Sequence, residues 1–289
     1  MITAAAPRSR ARAPRAVAMC ATACRLGIVL LAIALAVPRG AAAAEVIRGH
    51  VRVDDVELYY EDRGTGTPLL LLHGGFGHTG SWQHQAAAFA AAGYRVISVD
   101  SRGQGRSTLG DSVLGYSRMA DDVLGLMDYL GLERAHLLGW SDGGNIGLEI
   151  AMRRPERLLK LVAFGANYRV DGVREDVGEN ARFATYLEQA RRDYAALSPQ
   201  PERWEELVTR ISAMWAREPN HPDAALRAIT VPVLVMHGEQ EEAIVDAHAK
   251  ALADLIPGAR FVTLPGTGHF AMWEQPAAFN RVVLEFLND

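Results

Sequence analysis

The sequence predicts an α/β fold, in which a mainly parallel central sheet is flanked by helices and carries a helical lid insertion. Apolar runs such as PLLLLH, at residues 68–73, are typical of strands buried on both faces. Beyond this run, predicted helices and strands alternate, which favours right-handed crossovers between parallel strands. Residues 167–228, which we call the lid, interrupt the alternation with a helical segment that lacks a strand pattern.

The predicted elements follow in a simple order along the chain. Two alternating segments, residues 46–53 and 56–62, predict a hairpin around the turn Asp54-Asp55. After strand 68–73 the pattern predicts helix 81–92, strand 94–100, helix 116–130, strand 135–140, helix 145–153, strand 158–165, the lid, strand 231–238, helix 243–255, strand 259–266 and helix 275–287. Reactive groups of such sheets collect where strands end, so the loops there are searched first.

The first 44 residues differ in composition from the rest. Arginines precede the apolar run at residues 26–37, and small residues follow it. This order is typical of a secretory signal peptide, with cleavage after Ala43 or Ala44. The run has 12 residues, whereas a bilayer core needs roughly 20 helical residues. We therefore interpret residues 1–44 as a cleaved signal rather than an anchor, with a buried helix as the alternative and Met19 as an alternative start.

The predicted mature domain, residues 45–289, has no cysteine, because Cys20 and Cys24 both lie in the signal. It can therefore enter an oxidising compartment without forming disulfides, and we expect a periplasmic or secreted protein. Loss of six arginines takes the 30 Lys and Arg residues to 24 against 34 Asp and Glu, a net charge of −10. This acidity argues against nucleic acid and anionic membranes as partners and leaves the oligomeric state open.

A candidate nucleophile lies in the pentapeptide Gly139-Trp140-Ser141-Asp142-Gly143, a G-x-S-x-G pattern between a predicted strand and a predicted helix. A tight strand-to-helix turn strains the serine backbone and exposes its hydroxyl. The flanking glycines remove Cβ atoms that would otherwise clash. The pattern predicts that Ser141 is a nucleophile, and a glycine-rich packing loop is the alternative.

The LLLLHGGFG stretch supplies a glycine-rich loop after a buried strand. Acyl transfer needs two N–H donors aimed at the developing oxyanion, one from the residue after the nucleophile and one from a loop near this strand. We predict Asp142 and Gly75 as these donors, because glycine lets the backbone approach a substrate carbonyl. Phe76 and Trp140 neighbour these groups and are expected, with Asp142, to contact the substrate.

The candidate general base is His269, in the GTGHF loop. Neutral imidazole, with an ordinary pKa of about 6.5, suits proton transfer at neutral pH. Of the nine histidines, His269 alone lies in a glycine-rich loop between the last strand and the final helix. His73 is expected to brace its loop and His237 to be buried at a strand end. Four others are expected to be solvated: His78, His84, His221 and His248.

A carboxylate is needed to orient the base and stabilise the imidazolium. The loop after VLVMHG contains Glu239, Glu241 and Glu242. A carboxylate there lies between the serine and the histidine in the chain, which fits the order Ser, acid, His. A solvated acidic turn is the alternative interpretation.

With these three strand ends in place, the mature domain resembles an α/β-hydrolase over essentially its full length. DSRGQGRS, residues 100–107, resembles the D-x-R-G-x-G-x-S loop after the family's fourth strand. GWSDGG, and LVAFGAN at residues 161–167, resemble the valacyclovir hydrolase branch, whose members are serine esterases of α-amino-acid esters. The resemblance implies an α/β-hydrolase fold and a serine hydrolase, and neither a cofactor nor a metal is expected.

The resemblance also implies roles for two acids. It makes Glu241, three residues after the glycine of HGE, the triad acid, although most members have aspartate there. Glutamate is one methylene longer, so the loop must retract or the role passes to Glu242 or Asp171. The branch associates the Asp142 carboxylate with the substrate's α-ammonium group. Capping of a helix that begins at Gly143 is the alternative role.

The sequence therefore predicts a serine hydrolase that cleaves small carboxylic esters through an acyl-enzyme and favours α-amino-acid esters. Lactonase, C–C bond hydrolase and aminopeptidase chemistry use the same triad and stay open, as does a non-catalytic ligand-binding scaffold. Four lid aromatics are candidates for walls of the site or for packing onto the sheet: Phe183, Tyr186, Trp204 and Trp215.

Overall fold

The computed structural model of the protein describes residues 45–289. The predicted signal peptide, residues 1–44, lies outside the described residues. Among the helices of residues 45–289, none is both long and apolar enough to cross a bilayer.

Eight strands of the described chain form one sheet in the order β1-β2-β4-β3-β5-β6-β7-β8. The pairs β1–β2 and β2–β4 are antiparallel, and all other neighbouring strands are parallel. This confirms the predicted mainly parallel sheet. The strands are β1 Val46–Val53, β2 Val56–Arg63, β3 Thr67–Leu72, β4 Tyr94–Val99, β5 Ala135–Trp140, β6 Leu158–Phe164, β7 Val233–Gly238 and β8 Arg260–Leu264.

Helices flank the sheet and follow the predicted alternation. They are α1 Gln83–Ala91, α2 Tyr116–Tyr129, α3 Asp142–Arg153, α4 Ala181–Leu197, α5 Trp204–Trp215, α6 Asp223–Arg227, α7 Asp246–Leu255, α8 Ala271–Glu274 and α9 Pro276–Asn288. Two helices begin three residues away from their predicted starts. Helix α3 starts earlier, directly after Ser141, and α7 starts later, so the loop after β7 is longer than expected.

The core lies on both faces of the sheet, as the continuous apolar run of β3 predicts. Leu70 and Leu72 face a cluster that includes residues of α2, α3 and α7. Leu69 and Leu71 face the opposite cluster, which includes residues of α1 and α9. Successive side chains of a strand point to opposite faces, so a strand with helices on both sides is apolar at every position.

The predicted lid falls between β6 and β7 and contains helices α4, α5 and α6. Helix α4 begins after Asn180, whose side chain accepts hydrogen bonds from the N–H groups of the next turn. On α5, Leu207, Ile211 and Met214 are buried in the same cluster as Leu70. Their spacing puts them on one helical face, which packs the lid onto the sheet domain.

The parallel strands bring four predicted loops to one edge of the sheet. Strands β3, β5, β7 and β8 all run in the same direction. Their carboxyl ends therefore meet at the same edge, where the loops that follow them carry the candidate site residues.

Candidate active site

Ser141 occupies a strained turn between β5 and α3. Its φ is 54° and its ψ is −118°, a backbone region that is otherwise used almost only by glycine. The turn is held by hydrogen bonds: Ser141 N–H donates to Phe164 O at 2.8 Å, and Ser141 O accepts from Gly144 N at 2.8 Å and Asn145 N at 3.0 Å. The fold therefore keeps the serine at the end of the strand in a conformation that the chain would not adopt by itself.

The glycines of the turn are required by close backbone contacts. A Cβ on Gly139 would overlap the Gly143 carbonyl, and a Cβ on Gly143 would overlap the backbone of Leu72 on the neighbouring strand β3. Helix α3 can therefore start directly against the sheet, as the G-x-S-x-G pattern predicts.

His269 and Glu241 form a buried pair at the ends of β8 and β7. Nδ1 of His269 lies 2.5 Å from Oε1 of Glu241. The same oxygen accepts a hydrogen bond from Ala243 N–H at 3.0 Å. Burial alone raises the pKa of Glu241, but His269, His237 and the Ala243 N–H outweigh it and hold the pKa below its usual value. The acid is therefore ionised and orients the imidazole.

The two alternative acids lie elsewhere. Oε2 of Glu242 accepts the backbone N–H of His269 at 2.7 Å, and its Oε1 accepts from Arg182 at 2.8 Å. Glu242 therefore holds the histidine loop rather than the ring. The Asp171 side chain is 75% exposed and lies 3.9 Å from Nδ1 of His248.

A second histidine faces the free oxygen of the same acid. Nδ1 of His237 lies 4.0 Å from Oε2 of Glu241. Both atoms are buried and have no hydrogen-bond partner within residues 45–289. Nε2 of His237 lies 3.1 Å from Oδ1 of Asp246. His237 is thus buried at a strand end, as the sequence indicates, but it also adjoins the site.

The two predicted oxyanion donors flank the serine. Asp142 is the first residue of α3, and the first N–H groups of a helix have no intrahelical acceptor. Gly75 N–H has no acceptor within residues 45–289. The glycine loop approaches the serine closely, since a Cβ on Gly74 would lie 3.1 Å from Ser141 Cβ. The arrangement leaves two N–H groups free beside the serine.

His73 braces that loop, as the sequence predicts. Its Nδ1 lies 2.7 Å from Gly74 O, and its Nε2 accepts the Ser101 N–H at 3.0 Å. Burial lowers the pKa of His73 to about 4, so the ring is neutral. This hydrogen-bond pattern requires the tautomer that carries its proton on Nδ1.

The Asp142 carboxylate is buried beside the serine and does not cap α3. Its Oδ1 accepts hydrogen bonds from Tyr116 Oη at 2.7 Å and from Trp215 Nε1 at 2.9 Å. Burial raises the pKa of Asp142 to about 6, although these hydrogen bonds and His269 act in the opposite direction. The carboxylate is therefore mainly charged at neutral pH.

A cavity of about 270 Å³ is lined by Ser141, Asp142, Gly75, Trp140 and His269. The residues that give it apolar walls include Val170, Val173, Val177, Phe183, Leu187 and Ile244. Two carboxylate residues, Asp142 and Glu218, line it, whereas no Arg or Lys of residues 45–289 does. Oε1 of Glu218 lies 3.3 Å from Nε of Arg217, whereas Asp142 has no such ion pair within residues 45–289, so the cavity presents the negative charge of Asp142 in apolar surroundings.

The lid aromatics divide between the two expected roles. Three of them line the cavity: Phe183, Tyr186 and Trp215. Trp204 packs against Tyr194 and Phe76, with ring centroids 5.3 Å and 5.4 Å away. Phe76 itself lies outside this cavity, although the sequence predicts that it contacts substrate. Its φ of 60° accompanies a side chain packed between Trp204 and Trp215, and it lines a larger outer cavity instead.

Some site residues lack a sequence signal. Tyr116 begins α2 and contacts the site through its hydroxyl, and Glu218 follows the last turn of α5, but no motif surrounds either residue. His221 is buried 3.7 Å from Glu149, so the prediction of a solvated side chain is wrong.

A serine in a strained strand-to-helix turn, a buried His–Glu pair and two free N–H groups at one sheet edge define a hydrolase site of the serine class. The chain belongs to the alpha/beta hydrolase family, whose family model matches residues 69–282. The predicted fold and hydrolase class are thereby confirmed.

The relatives differ in the reactions for which they are named. The chain is 32% identical to a 2-hydroxy-6-oxononadienedioate/2-hydroxy-6-oxononatrienedioate hydrolase of Burkholderia vietnamiensis, over 81% of this chain and 91% of that protein. It is 29% identical to a putative carbamate hydrolase RutD of Azorhizobium caulinodans, over 81% of this chain and 96% of that protein. The solved structure of an enol-lactonase from Burkholderia xenovorans matches with a TM-score of 0.67 and 25% sequence identity. The match covers 83% of this chain and 100% of that chain. None of these belongs to the valacyclovir hydrolase branch.

Proposed function

We propose that the protein hydrolyses small carboxylic esters through an acyl-enzyme on Ser141 and favours esters whose acyl group carries an ammonium, as α-amino-acid esters do. One observation carries the proposal: the Asp142 carboxylate is buried beside Ser141 in a cavity that no Arg or Lys of residues 45–289 lines. A carboxylate in apolar surroundings attracts a cation strongly.

Acylation uses the groups at the sheet edge. Ser141 Oγ attacks the ester carbonyl carbon while His269 accepts the hydroxyl proton. The carbonyl oxygen becomes an oxyanion, which accepts hydrogen bonds from the Gly75 and Asp142 N–H groups. The Glu241 carboxylate stabilises the imidazolium. When the intermediate collapses, the ester C–O bond breaks and the alcohol leaves with the proton from His269.

Deacylation repeats these steps with water. His269 accepts a proton from the attacking water, whose oxygen bonds to the acyl carbon. Ser141 Oγ then leaves and regains its proton from His269, and the carboxylic acid is released.

The charge of the substrate distinguishes the proposed reaction from that of the Burkholderia vietnamiensis relative. That relative is named for a dienedioate, a dicarboxylate. In this chain a dicarboxylate would meet the Asp142 carboxylate, which no Arg or Lys of residues 45–289 pairs, so like charges would oppose its binding. An ammonium in the acyl group would instead neutralise Asp142, whose charge otherwise disfavours the oxyanion beside it.

A turnover panel tests the proposal. The mature protein is assayed with p-nitrophenyl esters of neutral and α-amino acyl groups of equal size, with a lactone, a carbamate and a dienedioate. We expect kcat/KM to be about tenfold or more higher for the amino acyl ester, and Asp142→Asn to abolish this difference. Glu218→Gln is the matched control for the second carboxylate. Higher kcat/KM on the neutral ester, or a preference that survives Asp142→Asn, would refute the ammonium role.

Export is part of the same proposal and rests on residues 1–44. Mass spectrometry of protein recovered from the periplasm or medium should show a chain that begins at Ala44 or Glu45. A chain that keeps Met1 or Met19 and stays in the cytoplasm would contradict export.

A further inference from the structure

Two lid residues contact the backbone of the proposed oxyanion hole. Tyr186 lies on α4, and its hydroxyl donates a hydrogen bond to Gly75 O at 2.6 Å. Trp215 ends α5, and its Nε1 donates to the Asp142 carboxylate at 2.9 Å. The Trp215 ring also packs on Gly75 so closely that a Cβ there would overlap it. Each proposed donor residue is therefore in contact with the lid.

The remaining bonds around Gly75 come from the sheet domain. The Gly75 N–H belongs to the peptide unit whose oxygen is Gly74 O, and this oxygen accepts from Gly77 N at 3.0 Å and lies 2.7 Å from His73 Nδ1. In the next peptide unit, Phe76 N–H donates to Gln104 Oε1 at 2.5 Å. Within the described residues, the lid's hydrogen bond to the loop around Gly75 comes from Tyr186.

Such hydrogen bonds matter for the orientation of a glycine, because its backbone is more flexible than that of other residues. A peptide unit is planar, so the Tyr186 bond to Gly75 O orients the unit that carries the Phe76 N–H, whereas the Gly75 N–H lies in the preceding unit, which the sheet domain holds through Gly74 O. Tyr186 and Gln104 hold the two ends of the unit between Gly75 and Phe76, and Phe76 adopts a φ of 60°, which is unusual for an aromatic residue. Loss of the Tyr186 bond would free the ψ rotation of Gly75 and let the loop that carries the Gly75 N–H shift relative to Ser141.

We infer that Tyr186 and Trp215 are positioning residues through which the lid completes the oxyanion hole. Tyr186 and Trp215 hold Gly75 from the lid side, so the Gly75 N–H keeps its place beside Ser141 when α4 and α5 are seated on the site. The inference rests on the proposed serine hydrolase function. It differs from a role as cavity wall, because a wall residue changes substrate binding, whereas a residue that aligns the oxyanion donors changes transition-state stabilisation.

Tyr186→Phe tests this role, and Tyr194→Phe is its matched control. Tyr194 lies on the same helix, is buried, and donates its hydroxyl to Gln200 O at 3.0 Å within the lid. Removing a whole oxyanion donor costs about 100- to 1,000-fold in kcat, so we expect about tenfold from loosening one. KM should change less than about twofold, and a boronic acid that mimics the tetrahedral intermediate should bind about tenfold more weakly.

In the control, kcat and boronic acid affinity should equal those of the wild type. Trp215→Phe should also lower kcat and weaken binding of the boronic acid. Unchanged kcat in Tyr186→Phe, a change confined to KM, or equal losses in Tyr186→Phe and Tyr194→Phe would overturn the inference.

Labelling by a fluorophosphonate separates this inference from the proposed function. Ser141 Oγ bonds to phosphorus, fluoride leaves, and His269 takes the proton, with the phosphoryl oxygen in the oxyanion hole. We expect slower labelling of Tyr186→Phe than of wild type and Tyr194→Phe. Equal rates would overturn the inference while Ser141 stands as the nucleophile. A wild-type protein that is not labelled would overturn both.

Discussion

Nδ1 of His269 lies 2.5 Å from Oε1 of Glu241 although glutamate is one methylene longer than the aspartate usual at this place. The structure shows how the extra length is accommodated. The same carboxylate oxygen also accepts from Ala243 N–H at 3.0 Å, so the side chain bends back onto its own loop. The pair is buried, which strengthens the electrostatic interaction between the carboxylate and the imidazolium.

Glu241→Gln should therefore lower kcat by about 10³- to 10⁴-fold, because the amide cannot stabilise the imidazolium and can select the wrong tautomer. Stopped-flow or steady-state ester turnover measures the loss. The matched control is Glu242→Gln, which keeps an acceptor for the His269 backbone N–H and should lose less than about tenfold. Near-normal turnover by Glu241→Gln would contradict the assignment of the acid.

Glu241→Asp is expected to lose about 10- to 100-fold in kcat, since a shorter side chain cannot keep both the His269 and the Ala243 bonds. The charge is retained, so the loss should be smaller than that of Glu241→Gln. If the aspartate variant equals the wild type, the loop retracts freely and the length of the acid has no effect on positioning.

The strain at Ser141 predicts an unusual order of stability. Its φ of 54° and ψ of −118° are accessible to glycine without strain. Ser141→Gly should therefore have a free energy of unfolding about 1 kcal/mol higher than Ser141→Ala, although glycine usually costs stability. Urea unfolding of both inactive variants measures the difference. On exposed Ser212 within α5 the order should reverse, and the same order at both positions would contradict strain at the nucleophile.

The sequence predicted the sheet and three of its loops because those features are local. The apolar run of β3, the G-x-S-x-G turn and the GTGHF loop each combine a strand pattern with glycines that the backbone needs. Their approach in space then follows from parallel strand direction alone. Glu241 required more than locality, because three glutamates share its loop. The family resemblance indicated Glu241, and the geometry shows that it contacts the His269 ring, whereas Glu242 accepts the His269 backbone N–H.

The contacts that surround Asp142 and Gly75 could not be predicted in the same way. Tyr116 and Trp215 are 26 and 73 residues away from Asp142 along the chain, and they reach it through packing of α2 and α5. The lid is helical without a sheet pattern to place it, so the sequence could name Tyr186 as an aromatic candidate but not its bond to Gly75. The position of one helix relative to another that is distant in sequence leaves no signal in the local sequence pattern.

The buried Asp142 carboxylate should make the protein less stable at neutral pH. Burial raises its pKa to about 6, above the value of about 4 expected in the unfolded chain, so between these pH values the folded state binds more protons. Stability then falls as pH rises from about 4 to about 6, by up to about 3 kcal/mol.

Asp142→Asn lacks this titration and should unfold at a higher temperature than the wild type at pH 7.5, with little difference near pH 4. Calorimetry at both pH values is the check. The exposed Asp176→Asn variant serves as a control and should leave the melting temperature unchanged at both. An Asn variant that is less stable at pH 7.5 would show that hydrogen bonds from Tyr116 and Trp215 to the charged form outweigh burial.

The same titration should appear in substrate preference. Since kcat/KM reports the ionisation of the free enzyme, the ratio of kcat/KM for an α-amino acyl ester to that for its neutral analogue should rise as pH increases through about 6 and level off near 7. Both substrates share His269, so its titration cancels in the ratio. The substrate ammonium stays mainly protonated in this window, because ordinary α-amino groups titrate near pH 8. Asp142→Asn should give a flat ratio, and a ratio that rises equally in the wild type and in Asp142→Asn would show that another carboxylate is responsible.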